Sequence, residues 1–162
     1  MLRNFASAPF TPWFGNPEWH AKGAGNAGHY GEKLDSPRKI RIIVIDDESL
    51  IAETLLEILR HEGFEAMAVS SGESALALAQ DWDPDIVLSD VIMPGLDGIE
   101  TGIRMREINP QCKIILFSGQ AATIDLLDRA RKQGHSFDIL AKPIKPEHLV
   151  SVIRRVVGPI PS

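Results

Sequence analysis

The chain has 162 residues and a formal net charge of −5, and 44% of its residues are hydrophobic. The length fits one domain of ordinary size with a tail, and the acidic balance gives no electrostatic reason to expect nucleic acid or an anionic membrane as a partner. The single cysteine, Cys112, excludes an internal disulfide and favours a reducing compartment. Since no apolar stretch reaches signal-peptide or membrane-spanning length, the sequence predicts a soluble, cytoplasmic protein.

The first 37 residues differ in composition from the rest. They hold five glycines, four prolines and six of the ten aromatic residues, and no helical or alternating period runs through them. We therefore predict a mostly disordered extension over residues 1–37. The alternatives are a short docking segment built on Phe10, Trp13, Phe14 and Trp19, or a mis-assigned start codon.

A glycine motif in this extension has the spacing of a dinucleotide-binding loop. Residues 23–28, GAGNAG, match G-x-G-x-x-G. In a dinucleotide-binding fold that motif follows a strand and opens a helix. Because NPEWHAK precedes it and HYGEKLDSP follows it, both contexts are missing. The motif therefore predicts no nucleotide site.

After Pro37 the hydrophobic pattern alternates regularly between strand and helix. The predicted elements are, in chain order, a strand over 39–45, a helix over 48–61, a strand over 64–69, a helix over 71–82, a strand over 85–90, a helix over 98–108, a strand over 112–117, a helix over 121–132, a strand over 137–141 and a helix over 146–157. Three of the strands are almost continuously apolar, which is typical of parallel sheets covered on both faces. The sequence predicts a doubly wound, five-stranded parallel sheet in a three-layer α/β/α domain over residues 38–158, with a short tail over 159–162.

Polar residues follow four of the predicted strands. Asp46 and Asp47 come after the first strand, Asp90 ends the third, Ser118 follows the fourth and Lys142 follows the fifth. Ligands of such sheets bind beyond the carboxyl ends of the strands. Each residue also has an ordinary explanation, since Asp47 could cap a helix, Ser118 could be a turn residue and Lys142 could be a solvated lysine.

The combination of these residues predicts phosphoryl chemistry. Three carboxylates at one rim would repel each other unless a cation joined them, and a few hard oxygen ligands with room for water describe a Mg²⁺ site. In such a site Asp90 would be the nucleophile, Lys142 would supply a second positive charge, and Ser118 would donate a hydrogen bond to a phosphoryl oxygen.

Four motifs resemble those of the receiver domain of two-component response regulators, from about residue 38 to residue 157. They are VIDDE with Asp46 and Asp47, LSDVIMPGLDG with Asp90, LFSG with Ser118, and LAKP with Lys142. The resemblance implies a flavodoxin-like sheet order 2-1-3-4-5. It also implies that Asp90 accepts a phosphoryl group from a phosphohistidine in a sensor histidine kinase or a histidine phosphotransfer protein.

The resemblance further implies roles for the other residues. Mg²⁺ would be held by Asp46, Asp47 (the main ligand of the pair), Asp90 and the backbone carbonyl of Ile92. Lys142 would pair with the phosphoryl oxygens, and the Lys142–Pro143 peptide bond would be cis. Ser118 would move to bond the phosphoryl group and pass the change to the face formed by the helix over 121–132, the strand over 137–141 and the last helix.

The sequence departs from the family pattern at one switch position. The family usually has an aromatic residue three positions before the lysine, where this chain has Ile139. Phe137 lies two residues earlier and is no clear replacement, so we expect output to rest on backbone shifts of the helix over 121–132. Ile92 cannot orient an attacking water molecule, whereas Gln120 could, which predicts a moderately long-lived phosphoryl state.

Several functional classes remain open on the sequence alone. The first is a stand-alone receiver that signals by contact with a downstream effector protein, with possible dimerisation through the face of the helix over 121–132, the strand over 137–141 and the last helix. A phosphorelay shuttle without its own output is the other form of this class. No output domain is expected after Val157. The second is an aspartate-nucleophile phosphatase of the haloacid dehalogenase type, but Ile92 stands where its D-x-D motif needs an acid. The third is a flavodoxin-like cofactor carrier, whose phosphate the acids at 46–48 would repel.

Overall fold

The computed structural model describes residues 37–119 and 122–158, which form five strands alternating with five helices. The elements are β1 (Arg41–Ile45), α1 (Ser49–His61), β2 (Glu65–Val69), α2 (Gly72–Ala79), β3 (Ile86–Asp90), α3 (Gly98–Ile108), β4 (Lys113–Ser118), α4 (Ala122–Lys132), β5 (Asp138–Ala141) and α5 (Pro146–Val157). Every predicted element is present, and most differences in bounds are one or two residues.

The five strands form one parallel sheet in the order β2-β1-β3-β4-β5, which confirms the predicted fold. The register places the strand ends level with one another. Ile45 pairs with Ser89, so the next residues of β1 and β3 are Asp46 and Asp90. Asp90 in turn pairs with Phe117, one residue before Ser118. The polar residues that follow β1 and that end β3 and β4 therefore meet at one edge of the sheet.

Two apolar layers cover the sheet, one on each face. Alternate side chains of β1 enter different layers, since Ile42 and Val44 pack on the side of α1 and α5, whereas Ile43 and Ile45 pack on the side of α2, α3 and α4. All five residues of β3 are buried. Because both faces of the central strand are enclosed, the end of β3 is held firmly in position.

One helix ends earlier than the sequence pattern indicates. The pattern predicts a helix over 71–82, but α2 ends at Ala79. Pro84 disfavours helical backbone at the residue before it, and the Trp82 indole N–H donates a hydrogen bond to Glu65 Oε1 at 3.3 Å. The apolar period continues past Ala79 because Trp82 packs against the second layer from a turn.

The buried face of α1 is also shifted slightly from the predicted one. The pattern places Ile51, Leu55, Ile58 and Leu59 on the core side. In the structure Ala52, Leu55 and Leu59 are buried, while Ile51 and Ile58 are half-buried. These two isoleucines are therefore available to line a surface groove.

Some of the predicted features lie outside the described residues. They are the extension before Pro37 with its aromatic and GAGNAG segments, Gln120, and the tail over 159–162. Within residues 37–119 and 122–158, no helix is long and apolar enough to cross a membrane.

Candidate functional site

Three carboxylates form a cluster at the carboxyl edge of the sheet. Asp46, Asp47 and Asp90 each offer an oxygen, and these oxygens lie within 4.8 Å of one another. Asp46 is fully buried and Asp90 is 7% exposed, whereas Asp47 faces solvent. The predicted convergence of the three acids is confirmed, because parallel β1 and β3 end at the same level.

Asp46 has a buried oxygen without a hydrogen-bond partner. Its Oδ1 accepts a hydrogen bond from the Glu48 backbone N–H at 2.9 Å, but among the described residues its Oδ2 is paired with none. Burial raises the pKa of Asp46, and the negative charges of Asp90 and Asp47 add to this rise. The hydrogen bond from the Glu48 N–H and the positive charge of Lys142 act in the opposite direction. A buried, unpaired carboxylate oxygen is costly unless a cation satisfies it.

Helix capping does not account for Asp47. The N-cap residue of α1 is Glu48, and its side chain makes no capping hydrogen bond. Asp47 instead contributes its oxygen to the acidic cluster. The oxygens of Asp46, Asp47 and Asp90 are hard ligands in small number, with one residue open to solvent, and this donor set fits Mg²⁺.

Lys142 forms an ion pair with the central carboxylate. Its Nζ lies 2.9 Å from Asp90 Oδ2, and the two side chains are 26% and 11% exposed. Burial alone would lower the pKa of Lys142, but the hydrogen bond and charge of Asp90, together with Asp46 and Glu48, raise the pKa above its ordinary value. The ammonium is therefore charged at neutral pH, and the bond it makes is of the stronger, charge-assisted kind.

The backbone around Lys142 places it at this edge. β5 ends at Ala141, and the Lys142 N–H donates to the Ser118 carbonyl at 3.0 Å. The Lys142–Pro143 peptide bond is cis, as predicted. Lys142 is thus tied through its backbone to β4 and through its side chain to the end of β3.

The loop after β3 is held by hydrogen bonds at both of its ends. The Val91 N–H donates to Phe117 O at 3.2 Å, and the Gly98 N–H donates to Val91 O at 2.9 Å. Between them, the Ile92 N–H donates to Asp90 Oδ1 at 3.2 Å, and the Ile92 side chain is 39% exposed. Ile92 is therefore adjacent to the cluster, where its predicted carbonyl contact with a metal would be made.

Glu73 also supports this loop, and sequence reasoning missed it. Its Oε1 accepts a hydrogen bond from the Leu96 N–H at 2.9 Å, across 23 positions of the chain. The hydrogen bond from Leu96 lowers the pKa of Glu73, and the hydrogen bond from the backbone N–H of Glu73 itself lowers it further. An acid in the first turn of a helix is favoured for local reasons, so nothing in the sequence around Glu73 indicates this longer contact.

Ser118 lies at the end of β4, where it is predicted, but its hydroxyl is engaged by α4. Ser118 Oγ donates to Thr123 Oγ1 at 2.6 Å, and Thr123 is 2% exposed. Sequence reasoning singled out Ser118 and not Thr123. A threonine in the first turn of a helix carries no signal that its hydroxyl meets a strand end.

The two residues considered for the aromatic switch position lie in different environments. Ile139 in β5 is 42% exposed. Phe137 precedes β5 and packs in the second apolar layer, with the Arg106 guanidinium 4.5 Å from its ring centroid. Gly102 gives the ring room, since a Cβ there would lie 2.9 Å from Phe137 Cε1. Phe137 is thus held against α3.

Comparison with known proteins decides the family. The model of the response regulator receiver domain matches residues 42–154. The chain belongs to this family. The DNA-binding response regulator MtrA of Mycobacterium tuberculosis is 32% identical over 121 residues, which cover 75% of this chain and 51% of MtrA. The transcriptional regulatory protein TcrA of the same organism is 32% identical over 124 residues, which cover 75% of this chain and 48% of TcrA.

Solved receiver structures resemble the domain closely in fold. A response regulator receiver domain protein from Clostridium thermocellum has a TM-score of 0.66 and 29% identity over 73% of this chain and 94% of that one. The chemotaxis protein CheY4 of Vibrio cholerae has a TM-score of 0.65 and 26% identity over 74% of this chain and 99% of that one. The chain spans about half the length of the curated relatives it matches, and as a receiver it belongs to two-component signalling.

Replacing Asp46 by Asn tests the metal fit without phosphorylation. In metal-free buffer we expect Asp46→Asn to raise the free energy of unfolding by roughly 1 kcal/mol, because it removes a buried charge beside two like charges. If the acidic cluster holds Mg²⁺, the ion should raise the melting temperature of the unaltered protein, because a ligand of the folded state stabilises it, and should raise that of Asp46→Asn by less than half as much. Thermal unfolding with and without Mg²⁺ measures both effects.

Asp81→Asn is the matched control, because Asp81 is exposed and follows the C-terminal end of α2. The acidic cluster lies at the opposite edge of the sheet. It should leave the response to Mg²⁺ unchanged. An Asp46→Asn protein that Mg²⁺ stabilises as strongly as the unaltered protein would contradict the predicted metal site.

Proposed function

We propose that this chain is a phosphoacceptor receiver, in which Asp90 takes a phosphoryl group from a phosphohistidine donor in a Mg²⁺-dependent reaction. One observation carries the proposal. Asp90, at the end of the central strand, is paired with Lys142 at 2.9 Å and clustered with Asp46 and Asp47. This is a nucleophile with a fixed positive charge and a set of cation ligands around it.

The reaction exchanges a phosphorus–nitrogen bond for an acyl phosphate. A carboxylate oxygen of Asp90 attacks the phosphorus atom, the bond to the imidazole nitrogen breaks, and the imidazole keeps the electron pair and takes a proton from solvent. Lys142 breaks its ion pair with Asp90 Oδ2 and pairs with a phosphoryl oxygen instead. Asp46, Asp47, Asp90 and the Ile92 carbonyl would hold Mg²⁺, which supplies positive charge against the transferring group.

A groove beside Lys142 is suited to the phosphohistidine donor. It has a volume of about 690 Å³ and lies between α1 and the segment that joins β5 to α5; its lining includes Leu50, Ile51, Ile58, Lys142, Ile144 and Pro146. Leu50 is 75% exposed. Because Lys142 lines the groove and also binds Asp90, a sensor kinase or phosphotransfer protein seated there would bring its histidine toward the acceptor.

We propose that the signal leaves by protein contact. Ile124 on α4 is 61% exposed and Ile139 on β5 is 42% exposed, so each offers an apolar side chain to an effector protein or to a second copy of the chain. The named relatives are DNA-binding and transcriptional regulators. Action without nucleic acid, as a stand-alone receiver or shuttle, therefore stays a prediction. Assays of DNA binding and of partner capture would distinguish it from action on DNA.

Incubation with acetyl phosphate and Mg²⁺ tests the proposed function. We expect intact-mass spectrometry to find one added phosphoryl group on the unaltered protein. No phosphoryl group should be added to Asp90→Asn, or to the unaltered protein when a chelator removes Mg²⁺. A phosphatase of the haloacid dehalogenase type would instead release phosphate steadily without a lasting adduct. Bound flavin in the purified protein would favour the cofactor carrier, and either result would contradict the proposal.

Ile92→Asn tests the predicted lifetime of the phosphoryl state. Ile92 is apolar and partly exposed beside Asp90, so it offers an attacking water no hydrogen bond. An amide there can orient that water, and we expect the acyl phosphate to decay about three- to tenfold faster, which is less than the roughly hundredfold or more that a group transferring a proton contributes. Decay of the adduct after removal of acetyl phosphate measures this. An unchanged decay rate in Ile92→Asn, with Ile92→Val as the apolar control, would contradict the prediction.

A further inference from the structure

We propose that Thr123 is a positioning residue that competes with the phosphoryl group for the hydroxyl of Ser118. The inference rests on the proposed function, since phosphorylation of Asp90 would give the Ser118 hydroxyl another acceptor. Its structural basis is the hydrogen bond that Ser118 Oγ donates to Thr123 Oγ1 at 2.6 Å, between the end of β4 and the first turn of α4.

A serine hydroxyl has a single hydrogen to donate. While that hydrogen is directed to Thr123, Ser118 cannot donate it to a phosphoryl oxygen. The bond is at the short end of the range for two hydroxyls, and Thr123 is 2% exposed, so little water competes for it and the low local dielectric strengthens it. The unphosphorylated state is thus favoured by a specific contact that phosphorylation must replace.

The contact also gives the signal a path into α4. When Ser118 turns to the phosphoryl group, the buried hydroxyl of Thr123 loses this partner, and a buried polar group without a partner is costly. The first turn of α4 can relieve that cost by moving. Ile124, the next residue, is 61% exposed, so such a movement would reach the surface without an aromatic residue at position 139.

Removing the hydroxyl of Thr123 should therefore shift the equilibrium toward the activated arrangement. Thr123→Val keeps the shape of the side chain and removes the acceptor, whereas Thr123→Ser keeps a hydroxyl. With beryllofluoride as the phosphoryl mimic and Mg²⁺ present, we expect Thr123→Val to bind about two- to tenfold more tightly, the factor that one neutral hydrogen bond supplies. Thr123→Ser should bind as the unaltered protein does.

The measurement is a beryllofluoride titration followed by the backbone amide signals of Ser118 and Gly119 in NMR spectra. In free Thr123→Val these signals should lie displaced toward their loaded positions, which a merely structural loss would not produce. Thr101→Val is the matched control, because Thr101 is buried as Thr123 is and donates its hydroxyl to Asp97 O at the start of its own helix α3. Thr123→Ala repeats the test if the valine variant does not fold.

The outcomes separate the two proposals. Unaltered protein that binds no beryllofluoride contradicts the proposed function. Unaltered protein that binds it, with a folded Thr123→Val or Thr123→Ala that binds equally or more weakly, overturns the role of Thr123. Equal tightening in Thr123→Ser also overturns it, because the effect would then come from shape and not from the hydroxyl.

Discussion

Replacing Lys142 by Met is expected to slow phosphoryl uptake from acetyl phosphate by about a hundredfold, which is typical of removing one fixed electrostatic contact in a reaction site. The methionine keeps most of the apolar stem, which packs beside Gly119, where a Cβ would lie 3.3 Å from Lys142 Cβ. What is lost is the charge that sits 2.9 Å from Asp90 Oδ2. The initial rate of adduct formation, followed by intact-mass spectrometry, measures the effect.

The same substitution is expected to destabilise the metal-free protein by about 1 to 2 kcal/mol, because it removes a charge-assisted hydrogen bond and leaves Asp90 beside two other acids. Lys145→Met is the matched control, since Lys145 is exposed in the same segment between β5 and α5. It should change neither the uptake rate nor the stability. Uptake by Lys142→Met at the rate of the Lys145→Met control would show that Lys142 has no part in the reaction.

Replacing Gly98 by Ala is expected to displace the acceptor strand. A Cβ at Gly98 would lie 2.9 Å from the carbonyl carbon of Asp90 and 3.0 Å from Ser89 Oγ, and it would overlap the Asp90 carbonyl oxygen. These are mostly atoms of the buried backbone of β3, which cannot move aside as a flexible side chain can. We expect a loss of about 3 kcal/mol in the free energy of unfolding, at the upper end of overpacking costs.

Gly72→Ala gives the comparison for this effect. A Cβ at Gly72 would overlap Thr101 Oγ1 and approach Leu96, so it also overpacks a helix start but does not touch Asp90. Urea unfolding should show that both variants are destabilised, whereas phosphoryl uptake at a temperature where both are folded should fall much further in Gly98→Ala than in Gly72→Ala, whose Cβ reaches the loop after β3 only at Leu96. Uptake by folded Gly98→Ala at the unaltered rate would contradict the claim that the start of α3 positions Asp90.

The secondary structure and the acidic edge could be predicted from the sequence because both depend on short-range patterns. Apolar runs at 39–45 and 85–90 mark strands that are covered on both faces. Once these strands are parallel neighbours, the acids that follow each of them must meet, and Asp46 and Asp90 do so. The strand order 2-1-3-4-5 came from the family resemblance, since periodicity does not determine how strands are arranged.

The contacts that tune the site could not be predicted, because they join side chains from distant elements. The bond from Leu96 N–H to Glu73 spans 23 positions, and the fit of Phe137 against Gly102 depends on how α3 lies on the sheet. The Ser118–Thr123 bond spans only five positions, yet it needs the exact path from β4 into α4. Sequence patterns indicate which face of an element a residue occupies. They do not indicate which neighbouring residue its polar atoms bond to.

The position of the covalent phosphoryl group is the most direct test of the account. The protein would be incubated with acetyl phosphate and Mg²⁺ and then reduced with borohydride, which converts an aspartyl phosphate to homoserine, and peptide mass spectrometry would locate the product. We expect homoserine at position 90 and at no other aspartate. Homoserine elsewhere, phosphate on Ser118, or no product under conditions where the protein is folded and supplied with Mg²⁺ would contradict the assignment of Asp90 as the acceptor.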